Sequence, residues 1–211
     1  MASEEAILKL AALISTDGCL TGDPKRLKIR FTNKAESLHK IFVELIKEVA
    51  GDDVRIITFM NKDGVKTTEI NSNRLTRFFR WLMTKNKLLP VHILEKSDER
   101  ILREVLKLMF SCDGSPVFTL KFDKHKKIWR KVRRIKFASK NKMLLFQVAG
   151  MLKRLRLTPQ ISEGEIIIEK KRDIGKFSKE IRFFEGVPMS KNSKWFGLSK
   201  NEVLDLIISS F

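Results

Sequence analysis

The sequence predicts an α+β fold made by tandem duplication of an α-β-β-α-β-β-α unit, and three internal echoes predict it. Leu10 to Gly18 (Leu-Ala-Ala-Leu-Ile-Ser-Thr-Asp-Gly) and Leu106 to Gly114 (Leu-Lys-Leu-Met-Phe-Ser-Cys-Asp-Gly) are apolar helical stretches, each ending in an acid and a glycine. Ser3-Glu4-Glu5 and Ser97-Asp98-Glu99 start these stretches alike, with a capping hydroxyl and then acids, which the helix dipole favours in a first turn. Downstream, Arg30-Phe31-Thr32-Asn33-Lys34 matches Lys136-Phe137-Ala138-Ser139-Lys140, and each segment runs into an apolar helical pattern containing Leu38 or Leu144. Asp17 and Asp113 stand 96 residues apart while Lys34 and Lys140 stand 106 apart, so the second half carries a ten-residue insertion, in the basic loop around His125.

Hydrophobic periodicity gives the elements in order. The first half reads as a helix over about 4–17, strands near 27–33, 53–60 and 65–71, and helices over 35–50 and 73–84, with Lys62-Asp63-Gly64 as a hairpin turn. The second half reads as a helix over 98–112, a long hairpin over 116–138, a helix over 141–155, strands over 158–169 and a helix over 173–184. The halves are therefore set at 1–85 and 97–184, joined by a short linker at 86–96 that contains Pro90. A tail over 185–211 ends in a helix announced by the capping-box pair Ser199 and Glu202, expected to dock rather than to act.

Composition narrows the partners. With 43 Lys and Arg against 25 Asp and Glu the formal charge is +18, a surface that attracts polyanions, and nucleic acid is the natural one. The sequence shows no apolar run long enough to span a bilayer and no N-terminal signal region, so an intracellular, soluble chain without a membrane partner is expected. Two cysteines, Cys19 and Cys112, cannot frame a disulfide scaffold. His39, His92 and His125 lack zinc-ligand spacing, and all five are read as ordinary surface or packing residues.

Strand alternation sorts the basic residues by face. Leu27, Ile29 and Phe31 point to the core, leaving Lys28, Arg30 and Thr32 outward. In the second half Phe118, Leu120 and Phe122 are expected inward with Ile135 and Phe137, and Val117, Thr119, Lys121, Arg130, Arg134 and Lys136 outward. Residues 115–140 hold ten Lys or Arg against the single acid Asp123. The outward residues Lys28, Arg30, Thr32, Lys121, Arg130, Arg134 and Lys136 are thus the candidate nucleic-acid contacts, since a two-stranded ribbon fits the major groove.

Asp17 and Asp113 are the candidate cation ligands. Each sits where a helix C-terminus already carries partial negative charge, and two such acids on one axis repel unless a cation neutralises them. Mg²⁺ suits one or two carboxylates shared with phosphate oxygens and water. Capping alone would explain Gly18 and Gly114 but not the duplicated acid.

Leu10 to Gly18 resembles the LAGLIDADG signature at its Leu, Ala, Leu, Ile, Asp and Gly positions, and Leu106 to Gly114 matches at the first Leu and at Asp-Gly. With the doubled element order, the chain resembles the two-motif, single-chain LAGLIDADG homing endonucleases to about Phe184. The resemblance implies a pseudo-twofold molecule with the motif helices packed at its centre and two antiparallel sheets forming a DNA-binding saddle. It implies a Mg²⁺-dependent endonuclease that cuts both strands of a long, non-palindromic double-stranded DNA target across the minor groove. Its metal ligands would be Asp17 and Asp113, joined by backbone carbonyls at Thr16 and Cys112. Lys34 and Lys140 correspond to the basic residues around the scissile phosphates, with Asn33 and Ser139 as polar groups that order water. Leu108 departs from the small residue usual at its position, so a looser or shifted helix crossing is expected.

Two other readings stay open on the same fold: an RNA-binding maturase acting on intron RNA, and a non-catalytic DNA-binding protein. A monomer is expected, because one chain supplies both halves.

Overall fold

A computed structural model describes residues 2–62, 64–83 and 86–211. The first half runs α1 (Glu4–Ser15), β1 (Gly18–Thr21), β2 (Lys28–Asn33), α2 (Glu36–Ala50), β3 (Ile56–Met60), β4 (Lys66–Asn71) and α3 (Asn73–Leu82). After α4 (Val91–Lys96), the second half repeats this as α5 (Glu99–Asp113), β5 (Gly114–Asp123), β6 (Ile128–Ala138), α6 (Lys142–Arg154), β7 (Gln160–Ser162), β8 (Glu165–Ile168) and α7 (Lys171–Glu180). The tail adds α8 (Lys200–Ser209), headed by the expected capping box of Ser199 and Glu202, and it packs on β5.

The duplication extends to hydrogen-bond register. Each half makes a four-stranded antiparallel sheet, ordered β1-β2-β4-β3 and β5-β6-β8-β7. Gly18 pairs with Phe31 as Gly114 pairs with Phe137, and Ile29 pairs with Ile70 as Ile135 pairs with Ile168. Asn33 and Ser139 are therefore equivalent positions, as are Lys34 and Lys140.

The motif helices α1 and α5 pack against each other in one continuous core. α1 buries Leu8 and every residue from Leu10 to Ile14, an almost wholly apolar cylinder that can lie only at the centre of a molecule. Leu108 sits in this core at 1% exposure, and Arg100 grips Glu5 with two bonds of 3.1 and 2.6 Å. The motif glycines answer to space rather than to a left-handed cap. A β-carbon on Gly18 would stand 2.5 Å from the Ile14 Cα, and one on Gly114 would stand 2.5 Å from the Phe110 carbonyl oxygen. Only glycine lets the strand leave so close to its own helix.

Four differences from the sequence reading have physical causes. β1 was absent from the strands expected, since four residues beside a helix end show no period of their own. The linker holds a short helix, α4, because Pro90 fits the residue ahead of a first turn. The helix expected over 173–184 stops at Glu180, where Arg182 takes φ of 56° and turns Ile181 and Phe183 into the core. Leu120 and Phe122 do not face the core but solvent, because the β5–β6 hairpin outruns the helices beneath it. Asp63, in the expected hairpin turn, Thr84, in the expected helix 73–84, and residue 85, the expected end of the first half, lie outside the described residues.

Candidate active site

Asp17 and Asp113 come together at the C-terminal ends of α1 and α5, both partly buried and close enough for the charge of one to act on the other. Their surroundings differ. The Asn33 amide donates to the Asp17 Oδ2 across 2.5 Å, while the Asn33 Oδ1 accepts from the Ala35 N–H at 2.7 Å and so fixes the turn into α2. His39, buried beneath, donates from Nε2 to the Asn33 carbonyl at 2.9 Å, which leaves its Nδ1 to accept from the Thr68 hydroxyl at 2.8 Å. Burial holds this imidazole below its ordinary pKa and therefore neutral. Burial raises the Asp17 pKa, opposed first by the Asn33 amide.

Asp113 has none of this support. Among the described residues no hydrogen bond or ion pair reaches its carboxylate. Burial, reinforced by the charge of Asp17, lifts its pKa to about 7. Ser139, at the position equivalent to Asn33, accepts from the Asn141 N–H at 3.1 Å instead and serves the start of α6.

Lys200 was not read from the sequence as a site residue. It is the first residue of α8, only 8% exposed, and its Nζ donates to the carbonyls of Ser111 at 2.7 Å, Cys112 at 3.4 Å and Phe110 at 3.5 Å. Burial lowers its pKa to about 8, countered by Cys112 and both acids, and its cation satisfies the carbonyl end of α5. One signal was available: a lysine in the first turn of a helix opposes the dipole, so another contact had to hold it. Lys87 does a related job from the linker, donating to the Gly18 carbonyl at 2.9 Å while its own carbonyl accepts from the Ser15 hydroxyl at 2.8 Å.

A cleft of about 450 Å³ brings Asn33 and Lys34 of the first half beside Asp113 of the second and Lys200 of the tail. Lys34 and Lys140 are exposed and, among the described residues, make no ion pair. The Thr16 hydroxyl turns back onto α1, donating to the carbonyls of Ala12 and Leu13. The Cys112 carbonyl already receives Lys200. Carboxylate and carbonyl oxygens of this kind are hard donors, the set that suits Mg²⁺ with water and phosphate completing its shell.

The outward faces of both sheets carry the expected basic residues, but they are not without acidic counterweight. Lys28 and Arg30 both reach Glu69 on β4, at 2.7 and 2.6 Å. Arg130 pairs with Asp123, Arg134 with Glu169 and Lys136 with Glu165, at 3.0, 3.0 and 2.8 Å. Glu69, Glu165 and Glu169 lie far along the chain, so counting acids within one hairpin missed them. Thr32 shares a hydroxyl contact of 3.0 Å with Thr67, and Lys121 makes no ion pair among the described residues.

Two duplicated halves, a buried pair of motif helices and two sheets presenting basic faces define the LAGLIDADG fold. The chain superposes on the homing endonuclease I-DmoI in complex with DNA and Ca, with a TM-score of 0.60, 21% identity, and coverage of 84% of this chain and 89% of that one. It also superposes on the homing endonuclease I-WcaI bound to its DNA recognition sequence (TM-score 0.53, 15% identity, 86% and 82% coverage). The N-terminal LAGLIDADG domain of DUF199/WhiA is similar as well (TM-score 0.55, 14% identity, 84% and 82% coverage). No family model matches the sequence, and no curated protein is similar to it in sequence. Among the described residues no helix is long and apolar enough to cross a membrane.

Proposed function

We propose that this chain is a site-specific endonuclease of double-stranded DNA, dependent on a divalent cation and in particular Mg²⁺. The observation that carries the reading is the convergence of Asp17 and Asp113 at the end of two buried helices, beside a cleft that also holds Lys34. Burying two carboxylates together is costly unless a cation shares them. I-DmoI, similar in fold, has been captured with DNA together with Ca or Mn, and a variant of it with its target DNA in the presence of Mg.

In this reading Asp17 and Asp113 hold the cation, with the carbonyls of Thr16 and Cys112 as further oxygen donors. When bound, the cation polarises the scissile phosphate and lowers the pKa of an attacking water. Asn33 aims the Asp17 carboxylate. Lys34 and Lys140 meet phosphate charge on either side of the seam, and Ser139 adds a hydroxyl for water. Lys28, Arg30, Thr32, Lys121, Arg130, Arg134 and Lys136 line the duplex along a long target, asymmetric because the halves have diverged. The chain works as a monomer, with halves at 1–85 and 97–184, the linker at 86–96 and the tail at 185–211.

The test is cleavage of a randomised duplex library by purified protein with Mg²⁺, reading the cut ends. Asp17→Asn and Asp113→Asn together should abolish cutting while duplex binding persists; undiminished cutting by that variant ends this reading.

A further inference from the structure

The β5–β6 hairpin has a second face. Its outward face carries Lys121, Arg130 and Arg134, and its back carries Phe118, Leu120 and Phe122 on β5 opposite Arg133, Lys131 and Trp129 on β6. The first half builds the same sheet with a β1 of four residues where β5 has ten, so the core does not require this projection. Leu120, Phe122 and Trp129 are 58%, 42% and 67% exposed there, an apolar strip a solvated protein has reason to avoid. Its neighbours are cations: Lys131 lies directly across from Leu120, and none of the six back-face residues is an acid.

The tail shows what this face accepts. Trp195 lays its ring on Phe118, 3° from parallel at 5.8 Å, its indole N–H donates to the Phe118 carbonyl at 2.9 Å, and Lys194 stands over the Trp195 ring at 4.8 Å. Further along the same face the Phe122–Trp129 pair, 5.3 Å apart and tilted by 57°, exposes two more aromatic rings with no further ring stacked on them among the described residues. Flat rings flanked by ammonium groups are what unpaired bases and their phosphates require.

We propose that the back of the β5–β6 hairpin is a stacking platform for unpaired bases, giving the chain a single-stranded nucleic-acid site distinct from the sheet faces assigned to duplex DNA. Stacking is indifferent to the sugar, so RNA and DNA strands both qualify.

The experiment titrates fluorescein-labelled oligodeoxyuridylate and oligouridylate into the full chain, in EDTA, with and without a saturating, differently labelled random-sequence duplex. Both oligonucleotides should bind with the duplex in place and quench tryptophan fluorescence, and whichever binds tighter identifies the sugar preferred. Phe122→Ala with Trp129→Ala should weaken oligonucleotide binding about tenfold or more and leave duplex affinity unchanged; Trp129→Phe should retain binding. Displacement of the oligonucleotides by duplex, or unaltered affinity in the double alanine variant, would overturn the proposal. So would loss of binding to phosphatidylserine vesicles, rather than to oligonucleotides, in that variant.

Discussion

Asn33 holds Asp17 by a 2.5 Å hydrogen bond, and Ser139, its counterpart in the second half, makes no such bond to Asp113. The two halves share register but not the support of their acids. Asn33→Ala should therefore slow the step that depends on Asp17 by about 10- to 100-fold, the usual cost of losing a group that orients a ligand. Ser139→Ala should change little. On a supercoiled plasmid carrying the target, Asn33→Ala should accumulate nicked circles while Ser139→Ala linearises like the parent. Equal slowing of both strands by Asn33→Ala would remove the inequivalence.

Glu69 is buried between Lys28 and Arg30 and pairs with both, one carboxylate shared by two cations. Partly exposed ion pairs of this kind add little stability, so their main effect is to fix where the two cations point and to hold charge back from phosphate. Glu69→Gln should tighten binding to random duplex at low salt. It should also steepen the dependence of log affinity on log salt by about one to two units, one for each cation released to a phosphate. Binding curves over a salt series read both quantities, and an unchanged slope would show that Lys28 and Arg30 do not meet the backbone.

Most of the fold was legible because it repeats: Leu10 to Gly18 and Leu106 to Gly114 each carry the helical period, and the Asn33-Lys34 and Ser139-Lys140 segments fix equivalent strand ends. Leu27, Ile29 and Phe31 obeyed alternation and are buried, whereas Leu120 and Phe122 obeyed the same alternation and stay exposed. Period gives a face but not what lies under it. That Asp17 and Asp113 occupy equivalent helix ends was readable from the repeat. Lys200 was not, since it approaches from 87 residues beyond Asp113, and neither were Glu69, Glu165 and Glu169, which meet their cations only across strands.

Asp113 makes the cation reading testable without any substrate. Its pKa stands at about 7 against an ordinary 3.8, raised by burial and then by Asp17. The folded chain thus keeps a proton that the unfolded chain releases, and stability from this group is full below pH 3.8 and lost as pH rises through about 7. Asp113→Asn removes that loss: the variant should match the parent in acid and melt higher than it above neutrality, with a ceiling of ~4 kcal/mol. Lys200 opposes the rise, so Lys200→Met should deepen the parent's loss at high pH. Mg²⁺ should restore stability above neutrality in the parent and not in Asp113→Asn, because only the ionised pair binds it. Melting curves over pH, with and without Mg²⁺, check each point. Parallel curves for parent and Asp113→Asn would mean that Asp113 is already neutralised by something other than a divalent cation.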